Sequence, residues 1–214
     1  MAGFRSLKGL LVDFDGTLVD LPTDYEGMRR DLRAAFGGYG RDRPFRPLLD
    51  SLAQIRGELL RDGVPPAEVS TRMYVAEGVV TRYEEEAAGN ARARGGAGAF
   101  LEEVKKRSLG VAIVTNNGRS AVDKAFQLLQ LPRPDFIVAR GEAERFKPMP
   151  EPAIKALALL RMEPRDVLLV GDDERDYAMG LAAGIETVLV GGRVPGATRV
   201  ATLLDVIGLL GPSP

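Results

Sequence analysis

Four short apolar runs punctuate the chain: Gly9–Phe14 (GLLVDF), Val111–Thr115 (VAIVT), Asp166–Gly171 (DVLLVG) and Glu186–Val190 (ETVLV). A weaker fifth is Asp135–Ala139 (DFIVA). All are of strand length and bounded by polar or turn residues, which predicts buried strands. From Val111 onward they alternate with helical patterns over Arg119–Leu131, Glu151–Arg161 and Arg175–Ala183, and a last pattern, Ala201–Leu209, follows the final run. Strands that alternate with helices imply an α/β fold, a doubly wound parallel sheet with helices on both faces. Sheets of this kind place ligand sites at the carboxyl ends of their strands.

The stretch between Asp20 and about Gly98 has a different period. Three helical patterns fit there, Asp24–Phe36, Pro47–Arg61 and Pro66–Ala88, and no strand-like run stands out. Gly37-Gly38-Tyr39-Gly40 and Gly63-Val64-Pro65-Pro66 separate them. "GNARARGGAGAF" (Gly89–Phe100) reads as a linker back to the sheet. The expected organisation is therefore a core of residues 1–19 and 97–214 with a small helical domain, residues 20–96, inserted after the first strand. The last four residues, Gly211–Pro214, are expected to fray.

Composition narrows the chemistry. The 214 residues carry 29 basic and 30 acidic side chains, a formal net charge of −1, so no global attraction to nucleic acid or anionic lipid is expected. The absence of Cys excludes disulfides and thiolate metal sites. The absence of His excludes Ser-His-Asp triads and imidazole-bound zinc. Any hydrolytic chemistry must run on carboxylates, Lys, Ser or Thr, or a hard metal held by oxygen. No apolar run approaches the roughly 20 residues that span a bilayer, and no signal peptide is evident. The default expectation is a cytoplasmic protein.

Two acidic clusters follow two of the predicted strands. Asp13 and Asp15 flank Phe14 at the end of the first run, where side chains two apart share a side. A carboxylate there can attack phosphorus, and its neighbour can carry the proton. The competing reading is a surface turn of type D-x-D-G. "VLLVGDDERDYAMG" then puts Asp172, Asp173 and Asp176 after another strand, with 172 and 176 on one helix face. Simple helix capping accounts for one of these acids and poorly for three. Together the clusters make an oxygen-only site suited to Mg²⁺. "VAIVTNNGRS" offers Thr115 and main-chain N–H groups as a phosphate cradle, or an ordinary helix cap. Lys147, in "ERFKPMPEPA", can offset charge on a transferring phosphoryl group, or is a solvated surface side chain.

These residues, taken in order, resemble the haloacid-dehalogenase-like (HAD) superfamily, and among its members the phosphoglycolate-phosphatase-like ones with a helical cap. The matching motifs are "DFDGTLVD" (13–20), "VTNN" around Thr115, "KPMPEP" from Lys147 and "GDDERD" (171–176). The resemblance implies a Rossmann-like core and a Mg²⁺-dependent phosphatase. Asp13 would be the nucleophile. Asp15 would protonate the leaving group and then activate water. Gly16, Thr17, Thr115 and Asn116 would surround the phosphate, and Lys147 would orient the nucleophile. Asp13, the Asp15 main-chain carbonyl and Asp172 would hold the metal, with Asp176 a further ligand or a support for one, and the role of Asp173 left open.

Asp15 is present, and dehalogenases of the family lack that acid, so dehalogenation is not expected. The family's sugar-phosphate mutases often use a cap His that this chain lacks. A phosphosugar mutase and a catalytically weak binding or regulatory protein on the same fold are the alternatives to a phosphatase. The expected partner is a small phosphorylated metabolite, with no nucleic acid and no membrane, the protein being a monomer or homodimer. The early insert is basic, with Arg29, Arg30, Arg33, Arg41, Arg43 and Arg46 against Asp31 and Asp42. That pattern suits either an anionic substrate, with Arg29 and Tyr25 sharing a helix face, or a solvated surface.

Overall fold

The computed structural model describes residues 7–192 and 194–210. The expectation for Gly211–Pro214 lies outside the described residues. A six-stranded parallel sheet forms the core, in the order β5-β4-β1-β6-β7-β8. Its strands are β1 (Gly9–Val12), β4 (Gly110–Val114), β5 (Phe136–Val138), β6 (Val167–Gly171), β7 (Glu186–Val190) and β8 (Thr198–Val200). β1 lies between β4 and β6, in register Leu11↔Ala112 and Leu11↔Leu169. A central parallel strand is covered on both faces, which is why all four residues of β1 are buried and apolar or Gly.

Helices flank this sheet: α4 (Ala97–Lys106), α5 (Arg119–Leu128), α6 (Glu151–Leu160), α7 (Glu174–Ala183) and α8 (Leu203–Leu209). One core cluster joins Leu11, Ala112, Val114, Val138 and Leu169 from the strands to Ala153, Ala156, Leu157 and Met179 from α6 and α7. Each buried Leu or Met of this kind contributes roughly 1.5–3 kcal/mol over exposure. The fold is the α/β doubly wound sheet that the alternating pattern implies.

The chain divides into two compact units. One runs up to Leu21 and resumes at Ala88; the other is Pro22–Ala87. The second is helical, with α1 (Tyr25–Phe36), α2 (Leu48–Arg61) and most of α3 (Pro66–Ala88). Met28, Leu32 and Phe36 recur at four-residue spacing on α1, and Ile55 and Leu59 do so on α2. They meet Val80 and Tyr83 of α3 in one apolar cluster. Asp24 caps α1 by accepting from Gly27 N at 2.9 Å.

Three elements depart from the sequence reading. A two-stranded antiparallel ribbon, β2 (Val19–Asp20) with β3 (Arg92–Ala93), stands where no strand was expected. Two-residue strands are too short to carry a period. The segment read as a linker becomes α4 from Ala97, burying Ala97, Phe100, Leu101 and Val104. Its glycine-rich start masks that helical spacing. β8 adds an edge strand whose residues are mostly exposed, so no apolar run marks it. No helix among the described residues is long and apolar enough to cross a membrane.

Candidate active site

The chain leaves β1 at Val12 and turns at once. Phe14 is fully buried and stacks on Phe126 of α5, with ring centroids 5.5 Å apart. Anchoring Phe14 in the core sends its neighbours the other way. Asp13 is buried, and its main-chain N–H bonds Val170 O of β6 at 2.8 Å. Asp15 is half-buried and its Oδ1 accepts from Leu21 N at 2.9 Å. Gly16 makes the turn at φ +89°, its N–H bonded to Val19 O. A Cβ there would collide with the Asp172 carboxylate, so Gly is required both for the φ and for the space. Thr17 is fully buried and donates its hydroxyl to Asp13 Oδ2 at 3.0 Å.

The end of β6 supplies the second acidic group, and the three acids there do three different things. Asp173 is the N-cap of α7, accepting from Arg175 N at 2.9 Å and Asp176 N at 3.2 Å. Asp176 closes the capping box and is almost fully buried. Its Oδ2 accepts from Asp172 N at 3.1 Å, and its Oδ1 holds Lys147 Nζ at 2.7 Å. Gly171 leaves the room for this, since a Cβ there would fall on the Asp176 carboxyl. Asp172 stays half-buried, with Thr17 Oγ1 at 3.5 Å from its Oδ1. Asp13, Asp172 and Asp176 each present an oxygen within 4.8 Å of the others.

Lys147 reaches this cluster from the segment between β5 and α6. It is only 5% exposed, and its ammonium bonds both Asp13 and Asp176. A solvated surface lysine is thus excluded. Burial alone would depress this ammonium, but Asp13 and Asp176 outweigh burial and hold it well above its ordinary value. Burial pushes the Asp13 carboxyl up, with Lys147 opposing. Burial and Asp176 push Asp172 up to about 6; burial and Asp13 push Asp176 up to about 6. One ammonium does not balance three crowded carboxylates. The surplus negative charge, on hard oxygen donors alone, fits a divalent cation such as Mg²⁺.

At the end of β4, Thr115 is buried and donates its hydroxyl to Asn117 Oδ1 at 2.8 Å while accepting from Asn117 N at 3.1 Å. Asn117 was not among the residues singled out, although "VTNN" displays it. Arg29 lies in the helical unit, bonded through Nη1 to Glu26 at 2.8 Å and lying 5.4 Å over the Tyr25 ring. Among its basic neighbours, Arg43 bonds Gln54 and Glu58, and Arg46 bonds Glu26.

An acid-bearing turn after β1, an acid-capped helix after β6 and a buried lysine joining them accompany membership of one hydrolase family, and the chain belongs to it. The model of the haloacid dehalogenase-like hydrolase family matches residues 10–190. Pyrophosphatase PpaX of Bacillus mycoides is 38% identical over 91 residues, 42% of each chain, so the chain spans less than half of that relative. Two crystal structures share the fold over nearly the whole length. CbbY from Rhodobacter sphaeroides in complex with phosphate has a TM-score of 0.67 at 19% identity, covering 95% of this chain and 99% of that one. A HAD-superfamily hydrolase from Geobacter sulfurreducens has a TM-score of 0.63 at 24% identity, covering 98% of both.

Proposed function

We propose that this protein is a Mg²⁺-dependent phosphomonoesterase acting on a small phosphorylated metabolite through a phosphoryl group carried on Asp13. The observation that carries this reading is the buried Lys147 ammonium shared by Asp13 and Asp176, with Asp172 beside them. Lys147 and Thr17 fix the Asp13 carboxylate between two donors, so that one oxygen is oriented for attack. Asp13 attacks phosphorus, the bond to the leaving oxygen breaks, and Asp15 gives that oxygen its proton. Asp15 then takes a proton from water, the water oxygen bonds to phosphorus, and Asp13 leaves as a free carboxylate with inorganic phosphate released.

Thr115 turns its hydroxyl from Asn117 to a phosphate oxygen, joined by the Asn116 main chain, Gly16 and Thr17. Asp13, Asp172 and the Asp15 carbonyl would hold the cation, which when bound offsets phosphoryl charge and polarises the P–O bonds. Asp176, whose oxygens already serve Lys147 and the Asp172 N–H, supports these ligands. Arg29 is assigned to an anionic group on the substrate. Its Nε is buried and makes no hydrogen bond among the described residues. The helical unit, Pro22–Ala87, takes the part of a cap that sets specificity.

The test is hydrolysis of a generic aryl phosphate, followed by a metabolite panel that includes inorganic pyrophosphate. Activity is expected with Mg²⁺ and is lost with EDTA. No hydrolysis across the panel would favour a binding protein, and isomerised product without phosphate release would favour a mutase.

A further inference from the structure

Lys147 has an anchoring problem. It follows β5, an edge strand, yet its ammonium must reach Asp13 just after β1, past the end of the intervening β4. The segment carrying it has no ladder partner, and Pro148 next to it has no N–H to give. A side chain can deliver its charge to one place only if its main chain is held.

The residue that holds it stands at the end of the strand being crossed. The Asn116 side chain meets the Lys147 main chain at both polar groups. Lys147 N donates to Asn116 Oδ1 at 3.0 Å, and Asn116 Nδ2 donates to Lys147 O at 3.2 Å. A primary amide presents a donor and an acceptor side by side, as a neighbouring strand would. Asn116 is itself fixed. Its carbonyl accepts from Arg140 Nη1 at 3.0 Å, and the next carbonyl, Asn117 O, accepts from Arg140 N at 2.9 Å.

We propose that the Asn116 side chain is a positioning residue for Lys147, acting on catalysis through where it places that ammonium. The assignment rests on the catalytic reading of Lys147 given above and is separate from the main-chain role of Asn116 toward phosphate. Asn116→Asp keeps the shape and the acceptor but sets a carboxylate oxygen against Lys147 O in place of the donor. Asn116→Ala removes both bonds and adds no charge.

The experiment is a double-mutant cycle on aryl phosphate hydrolysis with Mg²⁺, pairing Asn116→Asp and Asn116→Ala with Lys147→Met. Each Asn116 variant is expected to lower kcat about 30- to 100-fold, with KM within about threefold, since a small misplacement of a catalytic group costs on that order. In the Lys147→Met background the same changes are expected to cost less than about threefold. Where the Met variant does not fold, Lys147→Arg carries the cycle. Where turnover is too slow to read, orthovanadate affinity by calorimetry replaces it and should show the same loss of additivity. An undiminished penalty in a Lys147 variant that has itself lost activity would overturn the Asn116 assignment alone, as would wild-type kcat in both Asn116 variants. A fully active Lys147→Met would overturn the role of Lys147 and the assignment with it.

Discussion

In the sheet unit, Lys147 lies between Asp13 and Asp176, all three buried. In the helical unit, Arg82 and Tyr83 both bond Asp31, at 2.6 and 2.9 Å, with Arg82 54% and Asp31 33% exposed at the side chain. Each cluster sets a cationic side chain against carboxylate, and the carboxyl groups shift in opposite directions. Hydrogen bonds from Tyr83 and Arg82 hold Asp31 below the usual carboxylate range. Burial pushes Asp13 and Asp176 above it despite the lysine. In water a partner is enough to decide the shift. In the interior desolvation outweighs the lysine at both carboxyls, although the two acids together outweigh it at Lys147, and the protein keeps buried charges whose desolvation is costly. Buried, strongly shifted groups of this kind cluster at functional sites.

The sharpest way to break this contrast is at Asp13. Asp13→Asn removes the proposed nucleophile while keeping the shape of the side chain and leaving Lys147 its second acid, Asp176. Turnover is expected to fall by at least about 10³-fold while circular dichroism and the melting curve stay close to wild type. Retained turnover would place the chemistry elsewhere. Lys147→Met comes next, because it leaves buried acids without their cation. A stability loss of about 3–5 kcal/mol is expected at pH 8. The loss shrinks toward pH 5, where the acids can take up protons, and urea titration at the two pH values measures both.

The proposed metal dependence sharpens the contrast further. Asp172 and Asp176 lie at about 6 in the metal-free protein, above their unfolded value of 3.8. The folded state therefore holds extra protons between about pH 4 and 6, and these two groups make the metal-free protein less stable as pH rises through that window. Mg²⁺ competes with those protons. Its stabilisation in thermal melts should be larger at pH 7.5 than at pH 5, and an equal shift at both would contradict a carboxylate-held cation. The smallest effect is expected at Arg82, where Arg82→Ala leaves the Tyr83–Asp31 bond in place and should move the melting temperature by no more than about 3 °C with turnover unchanged, as for an exposed pair.

The sheet was legible because its strands are continuous apolar runs and its helices keep their period. What escaped was short or disguised: the β2–β3 ribbon, the glycine-led α4 and the exposed edge β8. At the site, Asp13 with Asp15 and Asp172 with Asp176 were visible because each pair is close in the chain. The contact of Lys147 with Asp13 spans 134 residues, so only resemblance could anticipate it. The division of labour after β6 also needed coordinates. Nothing in "GDDERD" says which acid caps the helix and which receives the lysine, since main-chain direction at the turn decides that.

Whether Asp13 carries the phosphoryl group is most directly answered in Asp15→Asn incubated with acetyl phosphate and Mg²⁺. The leaving acetate needs no proton, so the first step proceeds, whereas water is no longer activated for the second. Intact-mass analysis should show one added phosphoryl group, and peptide mapping should place it on Asp13, with none in Asp13→Asn. An unmodified Asp15→Asn beside a wild type that hydrolyses the same compound, or a phosphoryl group on any other residue, would contradict the account.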